Sequence, residues 1–275
     1  MSDTLLEAVL EAAGGWGAEQ VGVVVSDAQH ERASYGDLST ALPVASVTKL
    51  FSAWAILVAV EEGTLRLDDP AGPPGATVAH LLSHASGLAP DSSDVLAVPA
   101  TKRIYSNAGF DVLAEVLSER SGMAAPDYVS DAVLLPLGLT ATFSGHSLAH
   151  GLACSVTDLA RFGREVLRPT LISQATVDAA LSPQWIDLAG VLPGFGRQDP
   201  NWWGLGFELR GTKAPHWMGE RVPETAAGHF GRGGSFLLVD RFSDLVAATV
   251  TDLAFDEWAV EAWPPFVDAI VGSWV

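Results

Sequence analysis

The chain has 275 residues, 48% of them hydrophobic, and is long enough to bury a sizeable core as one large domain or two joined lobes. Thirty-three Asp and Glu against fifteen Lys and Arg give a net charge of −18. A field of that sign repels nucleic-acid phosphates and anionic lipid surfaces, so the composition argues against both kinds of partner. The excess of carboxylates predicts an acidic, well-solvated surface.

The start of the chain indicates a protein without a secretory signal. Acidic residues and no basic region precede its first apolar run, MSDTLLEAVL, which predicts an amphipathic helix. The longest uncharged apolar run, 50–60, is shorter than the ~20 residues of a membrane span and is followed by two glutamates. The single cysteine, Cys154, cannot form an internal disulfide and is predicted to be a small core residue. We therefore expect a cytoplasmic protein that does not bind membranes.

Two strands and a long helix are predicted in the first quarter of the chain. VGVVVSD (21–27) and ERASYGD (31–37) flank a polar turn and predict an antiparallel hairpin. A helix is then expected from near Ser46 to Gly63, because a glycine at this place is a common helix stop.

Helical signals dominate from residue 64 to about 170, and a further short helix is expected at 172–181. After about residue 200 the apolar residues alternate, which predicts strands in WGLGFELR, AAGHFG, GSFLLVD and DLVAATVTD. The segment PPFVDAIVGSW predicts a terminal helix with its two prolines in the first turn.

This order predicts an α+β fold in which strands from both ends of the chain pair into one antiparallel sheet flanked by helices. The single domain then has an α/β lobe, about 1–63 and 185–275, and an all-α lobe, about 64–184. A substrate cleft is expected at the seam between the lobes.

The first candidate for chemistry is the pair Ser46 and Lys49 in ASVTKL. Positions i and i+3 are neighbours on a helix, so the lysine can reach the serine hydroxyl. A lysine desolvated by apolar neighbours has a lowered pKa and can help to take the serine proton, while the helix N-terminus offers N–H groups to an oxyanion. The alternative for this spacing alone is a capping serine and a lysine that extends to solvent.

The second candidate is Tyr105-Ser106-Asn107, just before an amphipathic helix. A tyrosine between cationic groups approaches the phenolate form, which predicts a proton acceptor at Tyr105. The Asn107 amide is suited to orient Lys49 and a substrate carbonyl. The alternative is an aromatic packing residue followed by a helix cap.

The third candidate is GHFGRGGSF (228–236), a predicted strand whose glycines permit close approach of a ligand. His229 is expected to face the cleft beside Gly231, and the backbone N–H of Arg232 to join that of Ser46 in an oxyanion hole. The alternative is a glycine-rich strand end with a surface histidine.

Together, S-x-x-K, Y-x-N and H-x-G resemble the motifs of the serine β-lactamases and penicillin-recognising hydrolases, most closely the class C-type branch with its family VIII-like esterases. Further landmarks extend the resemblance through most of the chain, namely EEGTLRLDDP, HLLSHASGL, YSNAGFDVLAEVLSERSG, LPLGL, GLACSVTDLARFGREVL and WGLGFEL. The resemblance implies a β-lactamase/transpeptidase-like fold, an α/β lobe packed on an all-α lobe with the active site between them.

The resemblance also implies roles for the residues that match the motifs. Ser46 becomes the acylated nucleophile and Lys49 the partner that shuttles or orients its proton. Tyr105 becomes the general base in acylation and activates water in deacylation. Asn107 positions Lys49 and the substrate, and His229 completes the cleft wall.

Two departures from the family pattern bear on the substrate. His-Phe-Gly at 229–231 stands where penicillin-directed members have Lys-Thr-Gly, so a fixed cation and a hydroxyl are missing, and Arg232 replaces part of that charge at most. The segment 87–105 is short, which predicts a reduced rim on one side of the cleft. Both departures favour an esterase or amidase over a β-lactamase.

Other patterns leave alternatives open. His80 and His84 are spaced for one helix face, but without a third ligand a structural role is favoured over a metal site. Trp202 and Trp203 either line an apolar acyl pocket or cover the sheet. No metal or cofactor is predicted.

We therefore predict a serine hydrolase that acts through an acyl-enzyme on a small ester or amide, as a carboxylesterase, an amidase or peptidase, or a weak β-lactamase. The alternative is a non-catalytic or acylation-only ligand-binding module on the same fold. The oligomeric state does not follow from the sequence.

Overall fold

The structure is a computed structural model that describes residues 3–274 and the side chains of residues 6–274. The helices are α1 (Asp3–Leu10), α2 (Thr48–Glu61), α3 (Val78–Leu82), α4 (Asn107–Ser121), α5 (Ala125–Val129), α6 (Val156–Leu167), α7 (Gln174–Ala180) and α8 (Glu257–Ser273). The strands are β1 (Val21–Ser26), β2 (Glu31–Gly36), β3 (Leu42–Pro43), β4 (Thr142–Phe143), β5 (Leu152–Cys154), β6 (Gly190–Leu192), β7 (Gly196–Gln198), β8 (Glu208–Leu209), β9 (Ala227–Gly231), β10 (Ser235–Asp240) and β11 (Leu245–Thr251).

Strands from the two ends of the chain form one antiparallel sheet, in the order β2-β1-β11-β10-β9-β8. The predicted hairpin forms its edge as β1 and β2, and β1 pairs with β11 from the far end of the chain. The predicted antiparallel sheet with flanking helices is thereby confirmed. The domain boundaries proposed from the sequence remain a prediction.

The central strands are buried on both faces, and alternate residues enter two different cores. Val24, Leu237 and Ala248 pack into the core that contains α2 and α6, whereas Val23 and Leu238 pack into the core that contains α1 and α8. Helix α6 crosses one face of the sheet, and α1 and α8 cover the other. The sheet is therefore held rigidly between two layers of helices.

Helix α2 passes through the centre of the larger core, as its sequence predicts. Twelve of its fourteen residues are buried, and an apolar surface on all sides is typical of a helix enclosed by other elements. The helix ends shortly before Gly63, whose φ of 78° lies in the left-handed region that glycine tolerates. A short 3-10 turn, Ala45–Val47, precedes α2 and carries the serine of the S-x-x-K motif.

Several short strands were not predicted. A small sheet in the order β3-β5-β4 joins the start of α2 to residues 142–154, and β6 and β7 form a separate hairpin. The segment WGLGFELR, predicted as a whole strand, contains only the two residues of β8. Runs of two or three paired residues are too short to show an alternating pattern, so the sequence carried no usable signal for them.

The terminal helix begins earlier than predicted, so Pro264 and Pro265 lie within α8 and not in its first turn. The start is set by Asp256, whose side chain accepts a hydrogen bond from the backbone N–H of Glu257. Each internal proline removes a helix hydrogen bond. Burial of the adjacent Trp263 in the core offsets that loss.

Within residues 3–274, no helix combines the length and the apolar character that crossing a bilayer requires.

Candidate active site

Ser46 lies in the 3-10 turn at the start of α2 and lines a cavity of about 380 Å³. The residue before it, Ala45, has a φ of 46°, a conformation that costs an L-residue energy and occurs often at functional sites. The other cavity walls come from distant parts of the chain, including Tyr105, Asn107 and His229. The fold thus brings the three sequence motifs to one cavity, as predicted.

Lys49 lies one helical turn after Ser46 and is fully buried. Its Nζ atom lies 3.4 Å from Ser46 Oγ and donates shorter hydrogen bonds to Asn107 Oδ1, at 2.7 Å, and to the carbonyl oxygen of Ala149, at 2.8 Å. Burial lowers the pKa of Lys49 from 10.5 to about 7. A substantial fraction of Lys49 is therefore neutral at physiological pH and able to accept a proton.

Asn107 is the first residue of α4, and its amide joins the lysine to the rim of the cavity. While Oδ1 accepts from Lys49, Nδ2 donates to Asp91 Oδ1 at 2.7 Å. The helix cap is Ser106, whose hydroxyl accepts from the backbone N–H of Gly109, so Asn107 is not needed as a cap. The predicted positioning of Lys49 by Asn107 agrees with this geometry.

Tyr105 is held in an aromatic cluster with His84, Trp203 and His229. Burial raises its pKa well above 10, although the Ser46 side chain opposes the shift in part. The sequence-based expectation that cationic neighbours bring Tyr105 towards phenolate is therefore wrong for the free site. Among the residues whose side chains are described, Lys49 is the only cation over the Tyr105 ring, 4.8 Å from its centroid, and the loss of hydration has the larger effect.

His229 lies on β9 and faces the cavity, as predicted. Its Nδ1 lies 2.6 Å from the carbonyl oxygen of Phe230, which can only accept, so Nδ1 carries the proton. Nε2 then presents a lone pair to the Tyr105 hydroxyl, 3.5 Å away. Because burial lowers the pKa of His229 to about 3, the ring is neutral and does not replace the cation of a Lys-Thr-Gly motif.

The end of β9 packs against the 3-10 turn that carries Ser46. The contact is so close that there is no room for a side chain at Gly231. A Cβ there would lie 2.2 Å from the carbonyl oxygen of Val44 and 3.1 Å from the Ser46 nitrogen. Among the turn and loop hydrogen bonds of residues 3–274, none is donated by the backbone N–H of Arg232, and Ser46 lies in the first turn of its 3-10 helix, where backbone N–H groups have no partner within the helix. Two free amides beside the nucleophile are suited to stabilise an oxyanion.

Arg232 begins the turn between β9 and β10, and its side chain lines the mouth of the cavity. It is exposed and forms no ion pair with any residue that the structure describes. Phe230, by contrast, is buried and packs against Phe255, another cavity residue. The mouth therefore offers one cation beside an apolar wall.

Sequence analysis missed a buried ionic cluster behind this wall. Glu208 lines the cavity; its Oε1 accepts from Lys213 Nζ at 2.8 Å and from His216 Nε2 at 2.9 Å, and its Oε2 accepts from Trp217 Nε1 at 2.9 Å. Burial acts to raise the pKa of Glu208, but the nearby Lys213 charge and hydrogen bonds lower it overall. A Glu, Lys and His spaced closely in the apolar segment FELRGTKAPHWM is a signal that could have indicated such a cluster.

The question left open by Trp202 and Trp203 has different answers for the two rings. Trp203 is buried and lines the cavity, between His84 and His229. Trp202 is outside the cavity lining and donates its indole N–H to the carbonyl of Ile186.

His80 and His84 serve structural purposes. His80 Nδ1 lies 2.9 Å from Thr77 Oγ1, and His84 Nδ1 accepts from the backbone N–H of Ser106 beneath the Tyr105 ring. In the part of the chain with described side chains, no three His, Cys, Asp or Glu residues are arranged around a metal position.

A serine that lines a cavity, with a buried lysine one helical turn away, is an arrangement suited to a serine hydrolase. The Beta-lactamase family model matches residues 7–270, and the chain belongs to that family. The recognition made from the motifs is thereby confirmed.

Solved structures agree with this assignment. A beta-lactamase from Mycobacterium bovis is 43% identical and superposes with a TM-score of 0.95, over 97% of this chain and 99% of that chain. EstCE1, a hydrolase with promiscuous acyltransferase activity, superposes with a TM-score of 0.81 over 98% of both chains. At 16% identity, the second likeness concerns the fold alone.

Among curated proteins, the D-alanyl-D-alanine-carboxypeptidase/endopeptidase AmpH of Escherichia coli strain K12 is 26% identical over 176 residues, 46% of each chain. The chain spans less than half the length of the curated relatives it matches.

Proposed function

We propose that the protein hydrolyses carboxylic esters through an acyl-enzyme on Ser46. The observation that carries this proposal is the buried Lys49, whose pKa of about 7 and hydrogen-bonding distance of 3.4 Å make it a proton acceptor for the Ser46 hydroxyl. Asn107 and the Ala149 carbonyl hold the lysine nitrogen in place through the two shorter hydrogen bonds.

In acylation, Ser46 Oγ forms a bond to the substrate carbonyl carbon and passes its proton to neutral Lys49. The carbonyl oxygen becomes negatively charged and accepts from the backbone N–H groups of Ser46 and Arg232. When the carbon–oxygen bond to the alcohol breaks, the leaving oxygen takes the hydroxyl proton of Tyr105. The proton held by Lys49 then restores Tyr105.

Deacylation reverses these roles. A water molecule replaces the alcohol and, as it attacks the acyl carbon, gives one proton to the Tyr105 oxygen while the Tyr105 hydroxyl proton moves to neutral Lys49. Ser46 Oγ then recovers that proton from Lys49 as its bond to the acyl carbon breaks. The raised pKa of Tyr105 keeps its hydroxyl protonated, which suits it to donate to a leaving oxygen rather than to act as the resting base.

The cavity wall supports an ester of low polarity as the substrate. Its apolar lining is contributed by Pro90, Leu192, Pro193, Trp203, Phe230 and Phe255. His229 is neutral at physiological pH, so the position that carries a fixed cation in Lys-Thr-Gly members has none here. Such a wall favours an uncharged acyl or alkyl group over the carboxylate of a β-lactam.

Peptidase or amidase activity is the second candidate, because Arg232 offers a free guanidinium at the cavity mouth. A guanidinium recognises a carboxylate with two hydrogen bonds, and a peptide that ends in D-alanine carries such a group. The relative AmpH is named for that activity, which gives this candidate further support.

A substrate panel tests the proposal. We expect p-nitrophenyl acetate to be turned over with kcat/KM at least tenfold above that for a D-alanyl-D-alanine peptide or for nitrocefin, and Ser46→Ala to abolish turnover. Turnover of the peptide alone, lost in Arg232→Ala, supports the second candidate. No turnover of any member by the native protein contradicts both.

A non-catalytic binding module on this fold predicts a different result. A module that binds without chemistry gives no adduct, and one limited to acylation keeps its acyl group. The structure favours catalysis over either module, because Lys49 contacts Ser46, Asn107 and the Tyr105 ring in one connected set.

A further inference from the structure

A second cavity of about 800 Å³ opens beside the catalytic one and shares part of its lining. Pro90, Tyr105 and Pro193 line both cavities, so a ligand can extend from the reacting atoms into the second cavity without leaving the protein surface. We call the second cavity the side groove. It lies next to the segment 87–105, the rim that the sequence predicts to be short.

The floor of the side groove is rigid. The backbone N–H of Arg103 donates to the carbonyl of Ala189 at 3.0 Å, and Arg103 forms a parallel bridge with Gly190. The buried Arg103 guanidinium donates to four backbone carbonyls, those of Ser83, Gln184, Trp185 and Asn201. Loops on both sides of the side groove are therefore fixed to one side chain, and the groove exists before any ligand arrives.

The surface around the side groove is unusually apolar. Seven large hydrophobic side chains are exposed in the part of the chain whose side chains are described. Five of them come from two segments whose residues line the groove, 95–98 and 186–191. They are Val95, Leu96, Val98, Ile186 and Val191. Exposed apolar groups concentrated at one place indicate a binding surface.

The exposed charges at the side groove balance. Lys102 and Asp187 carry opposite charges, and Arg197 pairs with Asp199 at 3.0 Å. A groove whose lining is mostly apolar and whose exposed charges balance suits an uncharged ligand with an apolar chain.

We propose that the side groove binds an apolar chain of the substrate, so that the preferred substrates are neutral esters with a chain of medium length. This inference rests on the proposed esterase function and adds the substrate class. Leu96, 59% exposed, and Val191, 63% exposed, gain contacts when the chain is bound. Burial of one methylene is worth up to about fourfold in affinity, so six more methylenes, partly covered, are expected to raise kcat/KM by about tenfold or more.

Two series of esters show whether the acyl chain or the alcohol chain of the substrate enters the side groove. In one, p-nitrophenyl octanoate is compared with p-nitrophenyl acetate, which lengthens the acyl side. In the other, octyl acetate is compared with ethyl acetate, which lengthens the alcohol side. We expect the ratio of kcat/KM, long chain over short, to reach about ten or more in one series, and that series identifies the side of the ester that enters the groove.

Three variants test whether the side groove causes the preference. Leu96→Asp and Val191→Asp are each expected to lower that ratio by about fivefold or more, because a carboxylate in the groove must be desolvated when the chain binds. The control is Leu135→Asp, since Leu135 is 66% exposed and does not line the side groove. The inference is overturned if neither series shows a chain-length gain, or if the gain survives both groove variants.

A binding measurement separates this inference from the proposed function. Calorimetric titration with octanamide, against acetamide, needs no turnover. We expect saturable binding of octanamide that both groove variants weaken about fivefold or more and that Leu135→Asp preserves. Binding without ester turnover contradicts the esterase proposal and leaves the groove assignment supported, whereas turnover of acetates without octanamide binding contradicts the groove assignment alone.

Discussion

The Nζ atom of Lys49 lies 3.4 Å from the Oγ atom of Ser46, and the lysine is completely buried. Its environment lowers its pKa to about 7 while leaving it in contact with the nucleophile, Asn107 and the Ala149 carbonyl. The same burial that makes Lys49 a usable base also makes it costly to the fold, so it affects both rate and stability.

The rate of ester hydrolysis is expected to fall on the acid side of neutrality. Protonated Lys49 cannot accept the Ser46 proton, so kcat/KM for p-nitrophenyl acetate should show an acid limb with an apparent pKa near 7. Because coupled groups titrate together, the limb belongs to the Lys49 and Tyr105 set. A profile that stays flat from mildly acidic to mildly basic pH contradicts the assignment.

The stability of the protein is expected to rise with pH above neutrality, between the folded-state and unfolded-state pKa values of Lys49. Below pH 7, Lys49 is protonated in both the folded and the unfolded chain, and the folded state bears the full cost of burying it. Between about 7 and 10.5 the unfolded chain binds the proton more strongly, so the free energy of unfolding gains up to about 1.4 kcal/mol per pH unit.

The variant Lys49→Met isolates this contribution. Its free energy of unfolding should lack the gain, so the difference from the native protein changes steadily between pH 7 and 10.5 in denaturant titrations. A difference that is constant with pH contradicts the lowered pKa of Lys49.

Gly231 is expected to tolerate no side chain. In Gly231→Ala, the new methyl meets the Val44 carbonyl at 2.2 Å, so the strand end must move away from the Ser46 amide. Loss of one oxyanion donor costs about 100- to 1,000-fold in kcat, and we expect a loss in that range for p-nitrophenyl acetate. Gly15→Ala is the control, because nothing lies within 4 Å of a Cβ at that position. Equal activity of the two variants contradicts the oxyanion assignment.

The role of Tyr105 can be tested by comparing esters whose leaving groups do and do not need a proton. If its hydroxyl protonates the alcohol, Tyr105→Phe should lower kcat/KM by about 100-fold or more for ethyl acetate and by much less for p-nitrophenyl acetate, whose leaving oxygen needs no proton. Equal losses for both esters indicate instead that Tyr105 takes the Ser46 proton. The lone pair of His229 Nε2, 3.5 Å from the hydroxyl, helps to orient that proton.

The buried cluster at Glu208 is expected to stabilise the fold only as a complete set. Glu208→Gln leaves the Lys213 charge buried without its partner and should lower the free energy of unfolding by about 3–5 kcal/mol. Adding Lys213→Met should recover most of the loss. As a control, Asp68→Asn removes the exposed ion pair with Arg66 and should leave the denaturation midpoint unchanged. A double variant no more stable than Glu208→Gln contradicts this account.

Much of the site could be predicted because its residues lie in short sequence motifs whose geometry is set by the helix or strand that carries them. Ser46 and Lys49 are close because they are one turn apart at the start of a helix, and Asn107 follows from its place at the start of the next long one. The alternation of β9 placed His229 towards the cavity. The central sheet could be predicted because β1, β10 and β11 are apolar runs of six or seven residues, long enough to be recognised as buried strands.

Other features depend on contacts between distant segments, which local patterns do not record. The pKa of Tyr105 is set by neighbours that the fold supplies, such as Trp203 and His84, and desolvation outweighs the single nearby cation. The Arg103 guanidinium donates hydrogen bonds to backbone carbonyls up to about a hundred residues away in the sequence. In α8, packing of Trp263 overrides the tendency of prolines to stand at a helix start.

The intact mass of the protein during turnover of p-nitrophenyl acetate, followed by peptide mapping, shows directly whether Ser46 is the nucleophile. We expect the mass of one acetyl group to appear on the peptide that contains Ser46 and then to disappear as free enzyme returns, and we expect Ser46→Ala never to gain it. A native protein that hydrolyses the ester without acetylation of Ser46 in rapidly quenched samples, or a Ser46→Ala variant with native activity, would contradict the central claim.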